Sequence, residues 1–142
     1  MSALAAAIAL LVNPVGVWKV VDYTATDPVT GVVTHPFGDN PIGSAIYTAK
    51  GHMSVFVAGS HRAGAQRAEM FDGLYAYTGS YTVNGNTVSI HIESAWQPSW
   101  VGTDKTRTLK LDHDILSIVT PPMTSPVDGK TYISTTIFRR VE

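Results

Sequence analysis

Apolar and polar residues alternate strictly between positions 88 and 93, where the apolar set is Val88, Ile90 and Ile92 and the polar set is Ser89, His91 and Glu93. A period of two residues predicts a β-strand with one apolar and one polar face. Short segments rich in Val, Ile, Thr and Tyr recur along the chain, separated by turn sequences such as Asn84-Gly85. This pattern predicts an all-β, antiparallel fold built from hairpins, either a sandwich or a barrel.

The strands are predicted near residues 16–24, 31–35, 43–49, 52–58, 77–83, 86–94, 104–111, 114–120 and 130–140. One segment departs from this pattern, because its apolar residues have near-helical spacing, and it predicts a helical insertion near residues 63–76. The first residues are dense in Ala and Leu and end at Pro14, which predicts a short N-terminal helix. Residues 1–142 are expected to form a single domain.

Composition narrows the classes of function. Hydrophobic residues make up 44% of the chain and charged residues 15%, which excludes a disordered protein. A net charge of -1 without any basic run gives no reason to expect nucleic acid as a partner. The absence of cysteine excludes disulfides and thiolate metal sites, and the histidines have no close metal-binding spacing, so neither a metal nor a cofactor is expected.

The N-terminal apolar run bears on location. No basic residue precedes it, and it is shorter than the roughly 20 residues that a membrane-spanning helix needs. A cytoplasmic protein that does not enter the membrane is therefore expected, with a targeting remnant as the open alternative.

Several motifs carry a resemblance to a known family. The segment GVWKVVDY holds a Gly-x-Trp motif, Gly16 and Trp18, and is followed by HPFGDNPIGSAIYTAKGHMSV, FDGLYAYTGSYTV, the His-x-Glu strand, SWVGTDKTRTLKL and LSIVTPPM. Together these resemble the small bacterial and fungal lipocalin-like domain family over nearly the whole chain. The resemblance implies a lipocalin-like β-barrel of about 8–9 strands whose interior accommodates one small ligand. It also implies that Trp18 closes the barrel floor and that Arg139 or Arg140 crosses its indole.

The candidate site depends on which face of each strand points inward. Apolar-inward is the default for antiparallel sheets and would leave His91 and Glu93 in water. The tryptophans that follow, together with the family resemblance, favour the opposite orientation, which puts both residues in the cavity. The predicted catalytic residues are His91, Glu93, Tyr81 and Arg107. The predicted ligand-binding residues are Trp18, Tyr47, Phe56, Tyr77, Trp96 and Trp100.

Three classes of function fit a barrel of this kind. The first, implied mainly by the family resemblance, is a cofactor-independent cyclase or isomerase of secondary metabolism. It would act on a hydrophobic polyketide- or terpenoid-like intermediate by preorganisation, hydrogen bonding or acid/base help. The second is a non-catalytic carrier of a small hydrophobic ligand. The third is a structural protein whose barrel is filled by its own side chains, and a homodimer stays open as a further option.

Overall fold

The computed structural model describes residues 11–60, 64, 66–125 and 128–142. Its strands are β1 (Gly16–Thr26), β2 (Val33–Thr34), β3 (Ile42–Tyr47), β4 (His52–Ala58), β5 (Leu74–Asn84), β6 (Thr87–Ala95), β7 (Asp104–Asp112), β8 (Ile115–Val119), β9 (Met123–Thr124) and β10 (Thr131–Arg140). One helix, α1, spans Arg67–Asp72, and a 3₁₀ turn covers Pro98–Trp100.

Eight of these strands form a closed antiparallel barrel. Their order is β1-β3-β4-β5-β6-β7-β8-β10, and β10 pairs with β1 to close the sheet. The two short strands, β2 and β9, extend it at the end of β1 and the start of β10. The expected lipocalin-like barrel is confirmed, with two extra strands beyond the eight. The predicted N-terminal helix falls largely on residues 1–10, outside the described part of the chain, and residues 11–15 are irregular.

The helical insertion is shorter than the sequence pattern predicts. Helix α1 ends at Asp72, and Leu74 already pairs with Ala58 of β4. From there the chain alternates, so that Tyr75 and Tyr77 both face the barrel interior. The apolar residues of 74–77 therefore belong to a strand, and the prediction of a helix to residue 76 was wrong. Tyr75 and Tyr77 lie two positions apart, so they also fit the period of a β-strand.

Two β-bulges adjust which residues point inward. In β1, Val21 is an extra residue opposite β10, so Trp18 and Val20 are buried before it and Ala25 after it. In β6, the register shifts opposite Thr78 and Gly79, which leaves Glu93 as the extra residue. A Cβ on Gly79 would lie 1.9 Å from the backbone oxygen of His91. Only glycine therefore fits this close approach of the two strands.

The floor of the barrel is built around Trp18, which is fully buried. The guanidinium of Arg140 lies 4.3 Å from the centre of its ring, and the indole Nε1 donates to the Pro14 carbonyl at 2.8 Å. Arg140 also donates to the Val15 carbonyl at 3.0 Å. Gly16 has a φ of 145°, and a Cβ there would lie 2.6 Å from Arg140. The Gly-x-Trp motif thus has the role that the resemblance implies, with Arg140 as the crossing arginine.

Candidate functional site

Strand β6 settles the orientation of the His-x-Glu pair. Val88, Ile90 and Ile92 are buried, at most 1% exposed, and belong to the barrel core. His91 and Glu93 are exposed on the outer face. The expectation that they point into the cavity was wrong, because three β-branched residues gain more from burial than the polar face would.

His91 has a surface partner instead of a cavity. Its Nδ1 lies 2.8 Å from the Asp104 carboxylate, on the neighbouring strand β7. The two side chains are 52% and 81% exposed, and surface pairs of this kind contribute little to stability. An acid or base role for His91 and Glu93 inside the barrel therefore has no geometric basis.

A cavity of about 680 Å³ occupies the other end of the barrel from Trp18. Helix α1, strand β2 and strand β9 supply residues to its mouth. The side chains of the described residues leave this space open. The walls are dominated by ten aromatic side chains, which are Tyr23, Phe37, Tyr47, Phe71, Tyr75, Tyr77, Trp96, Trp100, Tyr132 and Phe138.

These aromatic rings contact one another around the wall. Tyr23 stacks on Phe37 with ring centres 4.4 Å apart, and Tyr75 lies 5.6 Å from Tyr23. On the far side, Trp96 meets Trp100 edge to face at 5.0 Å. Tyr75 joins the two groups through its contact with Trp96 at 6.4 Å. The result is a continuous aromatic surface that suits a flat, apolar ligand.

Two phenols in this wall are fixed by hydroxyl groups of β10. The Tyr23 hydroxyl bonds to Ser134 Oγ at 3.0 Å, and the Tyr75 hydroxyl lies 3.0 Å from Thr136 Oγ1. Burial raises the pKa of Tyr75 well above its usual value. Burial also raises the pKa of Tyr23, while the bond to Ser134 and the charge of Arg107 oppose the rise. Both phenols are therefore neutral at physiological pH.

Arg107 is the buried cation of the cavity. It lies on the inner face of β7, is 5% exposed and lines the cavity wall. Its Nη1 donates to the Thr106 carbonyl at 2.9 Å, and its guanidinium lies 5.9 Å from the ring centre of Trp100. Among the described residues it forms no ion pair. Burial raises the pKa of Tyr47, and the charge of Arg107 opposes this rise, so the guanidinium acts across the cavity.

Trp96 supplies a second polar group to the cavity wall. Its indole N–H is buried, and it has no hydrogen-bond acceptor within the described ranges. A buried donor without a partner is uncommon in folded proteins. Trp96 therefore offers a hydrogen bond that no described residue accepts.

The structure brings five of the predicted residues together in the cavity wall, namely Tyr47, Tyr77, Trp96, Trp100 and Arg107. Their role in binding or catalysis stays a prediction. The others lie elsewhere.

Trp18 belongs to the floor, beneath the cavity, and does not line it. Phe56 is 42% exposed on the outer face of β4, so the prediction that it shapes the cavity was wrong. Tyr81 packs edge-on against Tyr47 at 5.1 Å and donates its hydroxyl to the Thr48 carbonyl at 2.6 Å. It does not line the cavity either.

Six aromatic residues of the cavity were absent from the predicted site, namely Tyr23, Phe37, Phe71, Tyr75, Tyr132 and Phe138. Strict alternation from Trp18 and Val20 predicts that Tyr23 points outward. The extra residue Val21 reverses the alternation, so Tyr23 points inward. Phe37 lies in a loop, where no periodicity indicates its direction. Tyr75 was assigned to a helix, although its alternation with Tyr77 is a signal that could have revealed it.

The match to a family model extends over residues 15–141, and its description is a lipocalin-like domain. The chain therefore belongs to the lipocalin-like domain family. Comparison with curated proteins and with solved structures gave no match. No helix among the described residues is long and apolar enough to span a membrane. The same part of the chain holds no group of three or more His, Asp or Glu side chains that could bind a metal ion.

Proposed function

We propose that this protein binds one small, largely apolar molecule inside its barrel. The observation that carries the proposal is the cavity of about 680 Å³ with ten aromatic side chains in its wall. Cavities of about 300–1,000 Å³ with apolar walls and few polar groups are typical of small-molecule sites. A purely structural barrel would be filled by its own side chains, whereas the side chains of the described residues leave this cavity open.

Two phenylalanines offer a matched test of this function. Phe71 of α1 lines the cavity and is 41% exposed, whereas Phe56 lies on the outer face and is 42% exposed. Because both rings are partly in water, Phe→Ala at either position should leave the fold intact. We expect F71A to weaken binding of the neutral fluorescent dye Nile red about tenfold, since it removes aromatic contact area. F56A should bind the dye like the parent protein.

The readout is the dye fluorescence titrated against protein, with circular dichroism as the check on folding. Equal affinities of F71A and F56A would contradict the proposal that the aromatic cavity is the binding site. Failure of the parent protein to bind Nile red or any other apolar dye would contradict a binding function altogether.

A second candidate function is catalysis of a cyclisation or isomerisation within the cavity, acting on a polyketide- or terpenoid-like compound. Arg107 favours it, because a cation held in a water-poor site can stabilise an oxygen that becomes negative during such a reaction. His91 and Glu93 have no part in this version. Neutral phenols and the Trp96 N–H would act as hydrogen-bond donors, and the walls would hold the substrate in a reactive conformation.

The ketonisation of benzoylacetone enol tests this candidate, since the reaction passes through an enolate and needs no co-reactant. Its rate is read from the loss of enol absorbance. We expect the protein to accelerate it and R107M to reduce the acceleration by about tenfold or more. F56A serves as the control that should keep the parent rate. No acceleration over buffer would speak for the binding function alone.

A further inference from the structure

Arg107 is a buried charge that forms no ion pair with any residue in the described part of the chain. Its neighbours on the inner face of β7 are Lys105 and Leu109. A guanidinium keeps its charge in proteins, and moving a charge out of water is costly unless a counter-ion compensates. The described residues provide one carbonyl hydrogen bond and the face of Trp100, but no carboxylate in an ion pair with it.

The local field around Trp100 is positive. Lys105 Nζ lies 4.5 Å from the centre of the Trp100 ring, in addition to the Arg107 guanidinium at 5.9 Å. The acidic residues that border the cavity, Glu69, Asp72 and Asp128, are all exposed at its mouth. Water therefore screens those carboxylates, while Arg107 remains in the buried part of the cavity.

The Trp96 indole N–H lies in the same part of the cavity. Trp96 contacts Trp100 at 5.0 Å, and Arg107 lies against the same ring. One buried donor without an acceptor and one buried cation without an anion thus flank a single tryptophan. An oxygen with negative charge is the chemical group that satisfies both.

We propose that the ligand of this cavity is an amphipathic anion, whose carboxylate or enolate oxygen pairs with Arg107 while its apolar body lies against the aromatic wall. The Trp96 N–H donates a second hydrogen bond to the same anionic group. The inference rests on the proposed binding function and adds the charge of the ligand to it. Pairing with an anionic ligand would also offset the cost of burying the Arg107 charge inside the barrel.

The test compares two fluorescent compounds that share a flat apolar body. Anthracene-9-carboxylate is an anion at pH 7.5, and 9-anthracenemethanol is its neutral counterpart. We expect the parent protein to bind the carboxylate about tenfold to a hundredfold more tightly, as for a hydrogen bond to a charged group. R107M should lose this preference while binding the alcohol within about twofold of the parent. K110M is the matched control and should keep the preference, because Lys110 is exposed on the outer face of the same strand.

The outcomes separate the two proposals. Equal affinity of the parent protein for the carboxylate and the alcohol would overturn the anion inference and leave apolar binding intact. A preference that survives R107M, or that disappears in K110M alone, would also overturn it. If the parent binds neither compound and no Nile red, the binding function itself fails. Should R107M not fold, the ratio measured on the parent protein still decides. W96F removes the N–H together with part of the ring, so it should reduce affinity for the carboxylate several-fold more than affinity for the alcohol.

Discussion

The contact between Arg140 and Trp18 gives a stability prediction with an internal control. Arg140→Met keeps much of the apolar stem but removes the cation over the indole and the donor to the Val15 carbonyl. The adjacent Arg139 is exposed, so Arg139→Met removes the same charge without touching the barrel floor. A comparison of the two variants isolates the contribution of the floor.

The magnitude follows from three interactions. The cation–π contact at 4.3 Å contributes about 1 kcal/mol at a partly exposed site. The charged hydrogen bond to Val15 contributes about 1.5 kcal/mol, the low end of its range, because 31% of the arginine side chain is exposed. The pair with Asp114 at 3.9 Å contributes close to nothing, since that aspartate is 77% exposed. We therefore expect Arg140→Met to lower the free energy of unfolding by about 2.5 kcal/mol.

Urea unfolding followed by circular dichroism measures this difference, and thermal unfolding should give a Tm lower by about 6 °C. Arg139→Met should stay within about 0.5 kcal/mol of the parent. Equal losses in the two variants would refute the reasoning, because the effect would then reflect net charge and not the cap on Trp18. An unchanged stability of Arg140→Met would refute it as well.

Four further predictions test the strand facing, the bulge and the titrating groups. Ile90→Ala should cost about 2–5 kcal/mol of unfolding free energy, whereas His91→Ala should change it by less than about 0.5 kcal/mol in urea titrations. Gly79→Ala should cost about 3 kcal/mol or more, since its Cβ would lie 1.9 Å from a carbonyl oxygen, and chemical denaturation would measure the loss. Backbone hydrogen bonds lower the pKa of Asp27 below 3.8, so its contribution is present above that pH and lost on further acidification. The stability difference between Asp27→Asn and the parent should therefore shrink toward pH 2, which pH-dependent unfolding can check. Burial raises the pKa of Tyr75, so stability should fall above about pH 10, and Tyr75→Phe should reduce the part of the phenolate absorbance that appears only on alkaline unfolding.

The strands could be predicted because alternation over a few residues is a local signal. The closed barrel and its floor around Trp18 were predicted from the family resemblance, since the same alternation also fits a sandwich. The bulges had no such signal, because each is defined by the partner strand: Val21 is extra only relative to β10, and Glu93 only relative to β5. Phe37 reaches the cavity from a loop, where neither period applies. These residues depend on long-range pairing that no short segment encodes.

The orientation of His91 and of Arg107 follows from one rule that was available from the sequence. In β6 the apolar residues have even numbers, which puts His91 outside. In β7 the apolar residues are Leu109 and Leu111, so Arg107 shares their inward face. The apolar residues of a strand decide which face points inward, even where its polar residues look catalytic. Burial of several β-branched or Leu side chains stabilises the fold more than one surface ion pair does. A residue that shares the apolar phase in spite of its charge, as Arg107 does, is therefore the stronger indication of a functional site.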